Sequence, residues 1–203
     1  MRIGLIDGSF KPYHAGHHAL VTMAARENDV VKLFVSLTDR KRKGQFPIYG
    51  ADMQVLWEDF IKPVLPHNVQ VTYASPPVKA VYEELGNAND TGSQDVYRVY
   101  ADPVDTRNKY APKSREKYFG DLWHRGGVIF VSEEEPGKLA RGEGTPDVSG
   151  TAMRVALESG DVAGFSRGLP GELQPRAYEI FELLGGVPPE GRRLARESIR
   201  FRR

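Results

Sequence analysis

Two short runs, VVKLFVSL at residues 30–37 and GVIFVS at 127–132, are apolar almost without interruption. A strand with one wet face alternates apolar and polar residues, so runs of this kind belong in a sheet covered on both faces, which means a parallel sheet with helical crossovers. Around them the period changes repeatedly. Residues 3–7 form a strand, 20–27 carry Leu20, Met23 and Ala24 on one helical face, and 30–38 form the next strand, which together make a βαβ unit. The pattern predicts a helix over 51–61 stopped near Pro63, a strand at 69–74, a short helix at 78–85 and a strand at 95–100. With right-handed crossovers this is an α/β chain built on a doubly wound parallel sheet of about five strands.

The length of 203 residues with 40% hydrophobic content suits one substantial domain with an appendage, read as residues 1–170 with a C-terminal helical tail at 171–203 packed on it. Lysine plus arginine (28) nearly cancel aspartate plus glutamate (27), so no global field marks a nucleic-acid or membrane-surface protein, and any basic patch must be local. The absence of cysteine removes disulfides and thiolate metal sites. No run approaches the length of a membrane span, and MRIGLIDGSF turns polar too soon for a signal peptide, so a cytoplasmic protein is expected.

The rhythm breaks twice. PVDTRNKYAPKSREKYFGDLWHRGG, residues 103–127, reads as loop plus one irregular helix, and EEEPGKLARGEGTPD, 133–147, as a long polar connection. SGTAMRVALESGD then reads as a capped helix ending at Gly160. RRLARESIRFRR closes the chain with six arginines.

The stretch GSFKPYHAGHHALV, residues 8–21, follows the first strand and opens the first helix, at the carboxyl edge of the sheet where open α/β folds bind ligands. Gly8 and Gly16 allow close backbone approach, and Pro12 stiffens the turn. The unpaired N–H groups of a helix start favour an anion, most often phosphate. His14, just before the helix, and His17, in its first turn, can converge on one such anion, and their ordinary pKa of about 6.5 would rise beside it. Two other readings stand beside this one. His14, His17 and His18 with a carboxylate could ligate zinc, although HExxH is absent and adjacent helical residues diverge; a histidine on an apolar helix face, His18 above all, is otherwise a core residue. Neither a Walker loop nor GxGxxG fits the glycine spacing.

A second element, SGTAMR at 149–154, makes sense alone: Ser149 or Thr151 caps a helix whose first-turn N–H groups face an anion, and Arg154, one turn on, reaches the same oxygens.

GSFKPYHAGHHAL resembles the GxFxPxHxGH element, and SGTAMR the SGTxxR element, of the HIGH-type nucleotidyltransferase superfamily, which includes nicotinamide mononucleotide adenylyltransferases, phosphopantetheine adenylyltransferases and CTP-dependent cytidylyltransferases. The resemblance runs to about residue 170, with the middle third similar only in element order. It implies a Rossmann-like fold and an enzyme in which an acceptor phosphate attacks the α-phosphorus of a nucleoside triphosphate and releases pyrophosphate. The attacking phosphate is already ionised, so catalysis rests on positioning and charge neutralisation. By this resemblance His14 and His17 contact the triphosphate; Ser149, Gly150, Thr151 and Arg154 hold its β and γ phosphates; and Gly8, Ser9, Phe10 and Gly16 line the substrate loop. Mg²⁺ is implied as the triphosphate's partner, held by phosphate oxygens and water without a dedicated protein metal site. Arg40, Lys41, Arg42 and Lys43 follow the second strand at the same edge, where the family often sets a lysine against phosphate; a solvated basic loop is the other reading, and which of the four acts stays open. Asp102, Asp105 and Arg107 follow the fourth strand, near the acceptor in similar enzymes. Tyr110 or Trp123 could stack on an acceptor ring or simply pack.

SGTxxR favours ATP, while Arg141-Gly142-Glu143-Gly144 faintly echoes the RTEGxST of cytidylyltransferases. A histidine at 14 with proline two residues before it looks like the nicotinamide mononucleotide branch, which makes nicotinamide or nicotinic acid mononucleotide the first acceptor to expect. An aminoacyl-tRNA synthetase fragment shares the HIGH loop, but no KMSKS-like segment is present. A non-catalytic nucleotide sensor whose arginine-rich tail contacts nucleic acid is the alternative from another class.

Overall fold

The computed structural model describes residues 1–139 and 148–187. Five strands, β1 (Arg2–Gly8), β2 (Val30–Val35), β3 (Val69–Tyr73), β4 (Val96–Val99) and β5 (Val128–Phe130), join helices α1 (Ala15–Glu27), α2 (Gly50–Leu56), α3 (Pro77–Asp90), α4 (Pro103–Lys109), α5 (Pro112–His124), α6 (Val131–Glu134), α7 (Gly150–Ser159), α8 (Val162–Gly168) and α9 (Ala177–Leu183). The described residues fall into two compact units. The first draws on residues 1–10, 16–37 and 65–139, the second on residues 11–15, 38–64 and 148–187.

The first unit holds the sheet. All five strands run parallel in the order β3-β2-β1-β4-β5. Ile3 lies opposite Val30 on one side and Tyr97 on the other, so β1 is central. One face, with Ile3, Leu5, Tyr97, Val99, Val128 and Phe130, buries Val81 and Leu85 of α3 and Phe119 and Leu122 of α5. Burying each such leucine stabilises by roughly 1.5–3 kcal/mol, which makes this packing the main force behind the sheet. The opposite face meets the end of α1: the Tyr100 hydroxyl donates to Glu27 at 2.7 Å and receives the Asn28 amide at 2.8 Å. The sheet is therefore wound on both faces, a Rossmann-like α/β fold. The chain adds β2 and β3 on one side of β1 and then β4 and β5 on the other, so the strand order switches between β1 and β4. In such sheets the crevice for ligands opens at the carboxyl ends of those two strands.

Residues 103–127 depart from the expected loop with one irregular helix: they form α4 and α5. The reason is local. The Asp102 carboxylate accepts the Val104 and Asp105 amides at 2.8 Å each, and Pro103 and Pro112 each stand in a first turn, where a missing N–H costs nothing. The helix expected over 78–85 runs on to Asp90, and the strand expected at GVIFVS ends at Phe130, where the chain turns into α6.

In the second unit, α2 begins where the Asp39 carboxylate accepts the Gly50 amide at 2.9 Å. It continues through a π-helical turn, Trp57–Ile61, whose Trp57, Phe60 and Ile61 are buried. The helix expected at SGTAMRVALESGD forms as α7, capped by the Ser149 hydroxyl on the Ala152 amide at 3.1 Å and closed by Gly160 at φ 78°. No described helix is long and apolar enough to cross a membrane.

Candidate functional site

In the first unit Gly8 ends β1, and Phe10, two residues on, takes φ 48°, a left-handed conformation rare for an aromatic residue. The Phe10 ring is buried and meets the His17 ring edge-on, 4.8 Å between centroids and 90° between planes. Gly8 makes room for this: a Cβ there would lie 2.8 Å from Phe10 Cζ. Gly16 and His17 occupy the first turn of α1, Ser9 is exposed, and His18 is turned about 100° from His17 around the helix.

At the carboxyl ends of β1 and β4 the same unit holds a polar cluster. Asp7, with 4% of its side chain exposed, accepts the Tyr110 hydroxyl at 2.6 Å and pairs with Lys109 at 3.1 Å, while Lys109 also pairs with Asp105 at 2.9 Å. Burial alone would lower the Lys109 pKa, but Asp7 and Asp105 outweigh it and raise it. Burial, then Asp7, pushes the Tyr110 pKa far up, so this hydroxyl stays a donor. Tyr110 stacks on Tyr82 at 5.5 Å and leans on Phe130 at 5.4 Å, so its ring packs in the core and offers no face to an acceptor. Trp123 lies beside Arg115, 5.3 Å from ring to guanidinium. Asp102 is occupied in capping α4, and Arg107 is exposed on its last turn.

The second unit gathers cations. His14 is buried, and Tyr13 beside it is wholly buried with its ring 5.0 Å from Trp57 of the π turn. Arg154, 7% exposed, reaches back from α7: Nη1 donates to the Lys11 carbonyl at 2.8 Å and Nη2 to the Thr151 hydroxyl at 3.0 Å. Gly150 permits that approach, since a Cβ there would stand 3.2 Å from Arg154 Nη1 and 3.3 Å from the Lys11 carbonyl oxygen. Burial lowers the Arg154 pKa, and Arg40 and Arg42 add to the fall. Burial likewise lowers Lys11; Asp39 opposes the effect and Arg40 reinforces it. Arg40 is lowered by burial and by Arg42. Lys41 behaves differently: its ammonium pairs with Asp39 at 2.9 Å and sits 5.0 Å over the Tyr49 ring, and the Asp39 contact raises its pKa. Lys43 is exposed at the turn of the loop.

The structure thus brings Arg40, Arg42, Thr151 and Arg154 together in one unit, and Gly8, Phe10 and His17 in the other. Sequence reasoning missed Lys11, which sits at a variable position of the loop motif, and the Asp7–Tyr110–Lys109 cluster, whose three members are more than a hundred residues apart at the extreme. Arg141, Gly142, Glu143 and Gly144, and the arginine-rich stretch 192–203, lie outside the described residues. Among the described residues no three His, Cys, Asp or Glu side chains converge as a metal site would need.

Fold and site together define a Rossmann-like α/β protein in which the buried Arg154 of α7 donates to the Lys11 carbonyl. Neither a protein-family model nor a curated protein matches the sequence.

Proposed function

We propose that the protein is a nucleotidyltransferase that moves a nucleoside monophosphate, AMP from ATP in the first instance, onto a phosphorylated small molecule and releases pyrophosphate. One observation carries the reading most of the way. Burial lowers the Lys11, Arg40 and Arg154 pKa values, nearby arginines lower each of them further, and Arg154 is nearly excluded from water while it donates to the Lys11 carbonyl and the Thr151 hydroxyl. A cluster of like charges destabilises the fold that holds it unless an anion neutralises it, and a helix start adds further positive potential. Polyphosphate is the anion whose charge density fits four cations.

The reaction follows without a general base. An ionised oxygen of the acceptor phosphate attacks the α-phosphorus, the bond from the α-phosphorus to the bridging oxygen breaks, and pyrophosphate departs with that electron pair. No proton moves. By the resemblance of the opening and SGTxxR motifs, His14 and His17 donate to the charge that builds on the α-phosphoryl oxygens, and Arg154 takes the charge that builds on the leaving group. By the same resemblance an Mg²⁺ would be held through triphosphate oxygens and water, and it would supply additional charge neutralisation when bound. The opening motif favours nicotinamide or nicotinic acid mononucleotide as acceptor, and the charge balance and cysteine-free composition support a cytoplasmic setting.

The test is a panel of phosphorylated acceptors with ATP and CTP, read as pyrophosphate. Release that requires an acceptor, and that falls about 10²-fold to 10³-fold in His17→Ala, is the expected result. No release with any acceptor, or an unchanged rate in His17→Ala, would count against the proposal.

A further inference from the structure

The end of β1 is laddered on one side only. Its backbone pairs with β2 as far as Gly8, opposite Val35, and the Ser36 amide still donates to the Gly8 carbonyl at 3.1 Å. On the other side the pairing with β4 stops at Leu5, opposite Val99, where the Tyr100 amide donates to the Leu5 carbonyl at 2.9 Å. Beyond Leu5, β1 has no ladder partner on that side among the described residues, and this is the end from which the turn carrying Phe10 departs.

A side-chain clamp stands where the ladder stops. Asp7 Oδ1 accepts the Tyr110 hydroxyl at 2.6 Å and Oδ2 accepts from the Lys109 ammonium at 3.1 Å, so both carboxylate oxygens are engaged. The far jaw is itself held. The Tyr110 ring packs on Tyr82 and on Phe130, and the Tyr82 hydroxyl donates to the Lys109 carbonyl at 2.7 Å. Arg115 is buried; its Nε donates to the Tyr110 carbonyl at 2.6 Å, its Nη1 and Nη2 donate to the two Glu133 oxygens at 2.8 and 2.6 Å, and its guanidinium lies 3.7 Å over the Phe130 ring. Tyr110 is thus fixed at its ring, its carbonyl and its hydroxyl.

We propose that Tyr110 is a positioning residue: through Asp7 it fixes the unladdered end of β1, and with it the Phe10 ring against which His17 packs at 4.8 Å. Arg115 acts one step further back, by holding Tyr110. Phe10 lies three residues past Asp7 at φ 48°, a conformation that persists only where its surroundings impose it. A buried carboxylate with its oxygens on two separate donors imposes such an approach, because rotating it strands a charged oxygen. The inference deepens the nucleotidyl-transfer reading, from which His17 takes its role, but the coupling from Tyr110 to the His17 ring exists without it.

Tyr110→Phe keeps the ring and removes only the hydroxyl. The test is NMR of the His17 ring protons in the full chain, assigned by their loss in His17→Gln. The Phe10 ring current acts on those protons, so a displaced Phe10 moves them. Asn89→Ala is the control: it takes away the acceptor of the Leu122 amide, beside Gly127 at the amino end of the sheet. The expected result is that the His17 signals move or broaden in Tyr110→Phe and hold their place in Asn89→Ala. Asp7→Asn, which loosens the clamp from the β1 side, moves the same signals and keeps the idea testable if Tyr110→Phe folds poorly. In the transfer assay, turnover of Tyr110→Phe falls about tenfold to 10²-fold while KM for the triphosphate stays within about twofold. His17 signals unmoved in the clamp variants, or moved equally by Asn89→Ala, would overturn the proposal. The two readings fail separately. Moved His17 signals without release from any acceptor remove only the transfer reaction; acceptor-dependent release with unmoved signals removes only the clamp.

Discussion

Gly8→Ala probes the loop at its tightest point. The new Cβ would lie 2.8 Å from Phe10 Cζ, 3.0 Å from Cε2 and 3.1 Å from Cε1, where a relaxed carbon contact needs about 3.5 Å. The ring must therefore retreat by roughly 0.7 Å, and the contact it gives up is the edge-on packing against His17 at 4.8 Å. Overpacking of this size costs about 1–3 kcal/mol. For a domain of this length, about 2–4 °C per kcal/mol, that is a fall in Tm of roughly 2–12 °C. The catalytic consequence is larger, because a histidine displaced by a fraction of an ångström from a developing charge loses on the order of 10²-fold in turnover. Thermal unfolding followed by circular dichroism gives the first number and pyrophosphate release the second. Adding Phe10→Leu to Gly8→Ala relieves the clash, so Tm recovers while turnover does not, since the support behind His17 is still gone. If Gly8→Ala keeps both the Tm and the turnover of the parent chain, the claim that Gly8 and Phe10 set the His17 ring is wrong.

Three further outcomes follow from single contacts. Ser149→Ala removes the cap of α7 and lowers stability by about 1 kcal/mol in urea titration, while Ser149→Asp, which restores an acceptor at the cap, stays as stable as the parent chain. Asp7→Asn takes the charged partner from Tyr110 and Lys109 and costs about 2–4 kcal/mol, less than a fully buried pair because Lys109 is partly exposed and keeps Asp105; a loss below 0.5 kcal/mol would show the cluster to be incidental. Burial, and then Glu172, raises the Tyr13 pKa above its ordinary value of 10.0. The folded chain thus keeps a proton that the unfolded chain releases, so the Tyr13 contribution is intact below about pH 10 and is lost as pH rises beyond it. Tyr13→Phe therefore flattens the fall of stability with pH above 10, read as urea midpoints across that range; an unchanged slope would contradict the burial argument.

The strands were legible because their residues announce burial on two faces: VVKLFVSL and GVIFVS became β2 and β5, and the order of elements gave the parallel sheet. The caps of α7 were legible for the same local reason, a serine before the first turn and a glycine after the last. Local signals also existed where the reading went astray. Asp102-Pro103 and Ala111-Pro112 are helix starts, yet the surrounding density of lysine, arginine and tyrosine read as loop; Phe119 and Leu122 supply an apolar stripe that only the packing against α3 makes obvious. Other features had no signal to find. Whether Arg40, Lys41, Arg42 or Lys43 meets an anion depends on a hairpin register fixed by Ile48, and the pairing of Asp7 with Tyr110 depends on α4 returning to the end of β1, a contact set by tertiary packing alone. The π turn at Trp57, which seats Tyr13 in the middle of the histidine loop, likewise has no mark in a run that reads as ordinary helix.

The measurement that bears most directly on the account is the fate of a nucleoside triphosphate labelled at the α-phosphorus, followed by phosphorus NMR with and without a phosphorylated acceptor. Attack at the α-phosphorus moves the label into a new diphosphate linkage with the acceptor, in step with free pyrophosphate, and does so only when the acceptor is present. Label that stays in nucleoside diphosphate while orthophosphate accumulates, or label that never leaves the triphosphate with any acceptor, would contradict nucleotidyl transfer at this site.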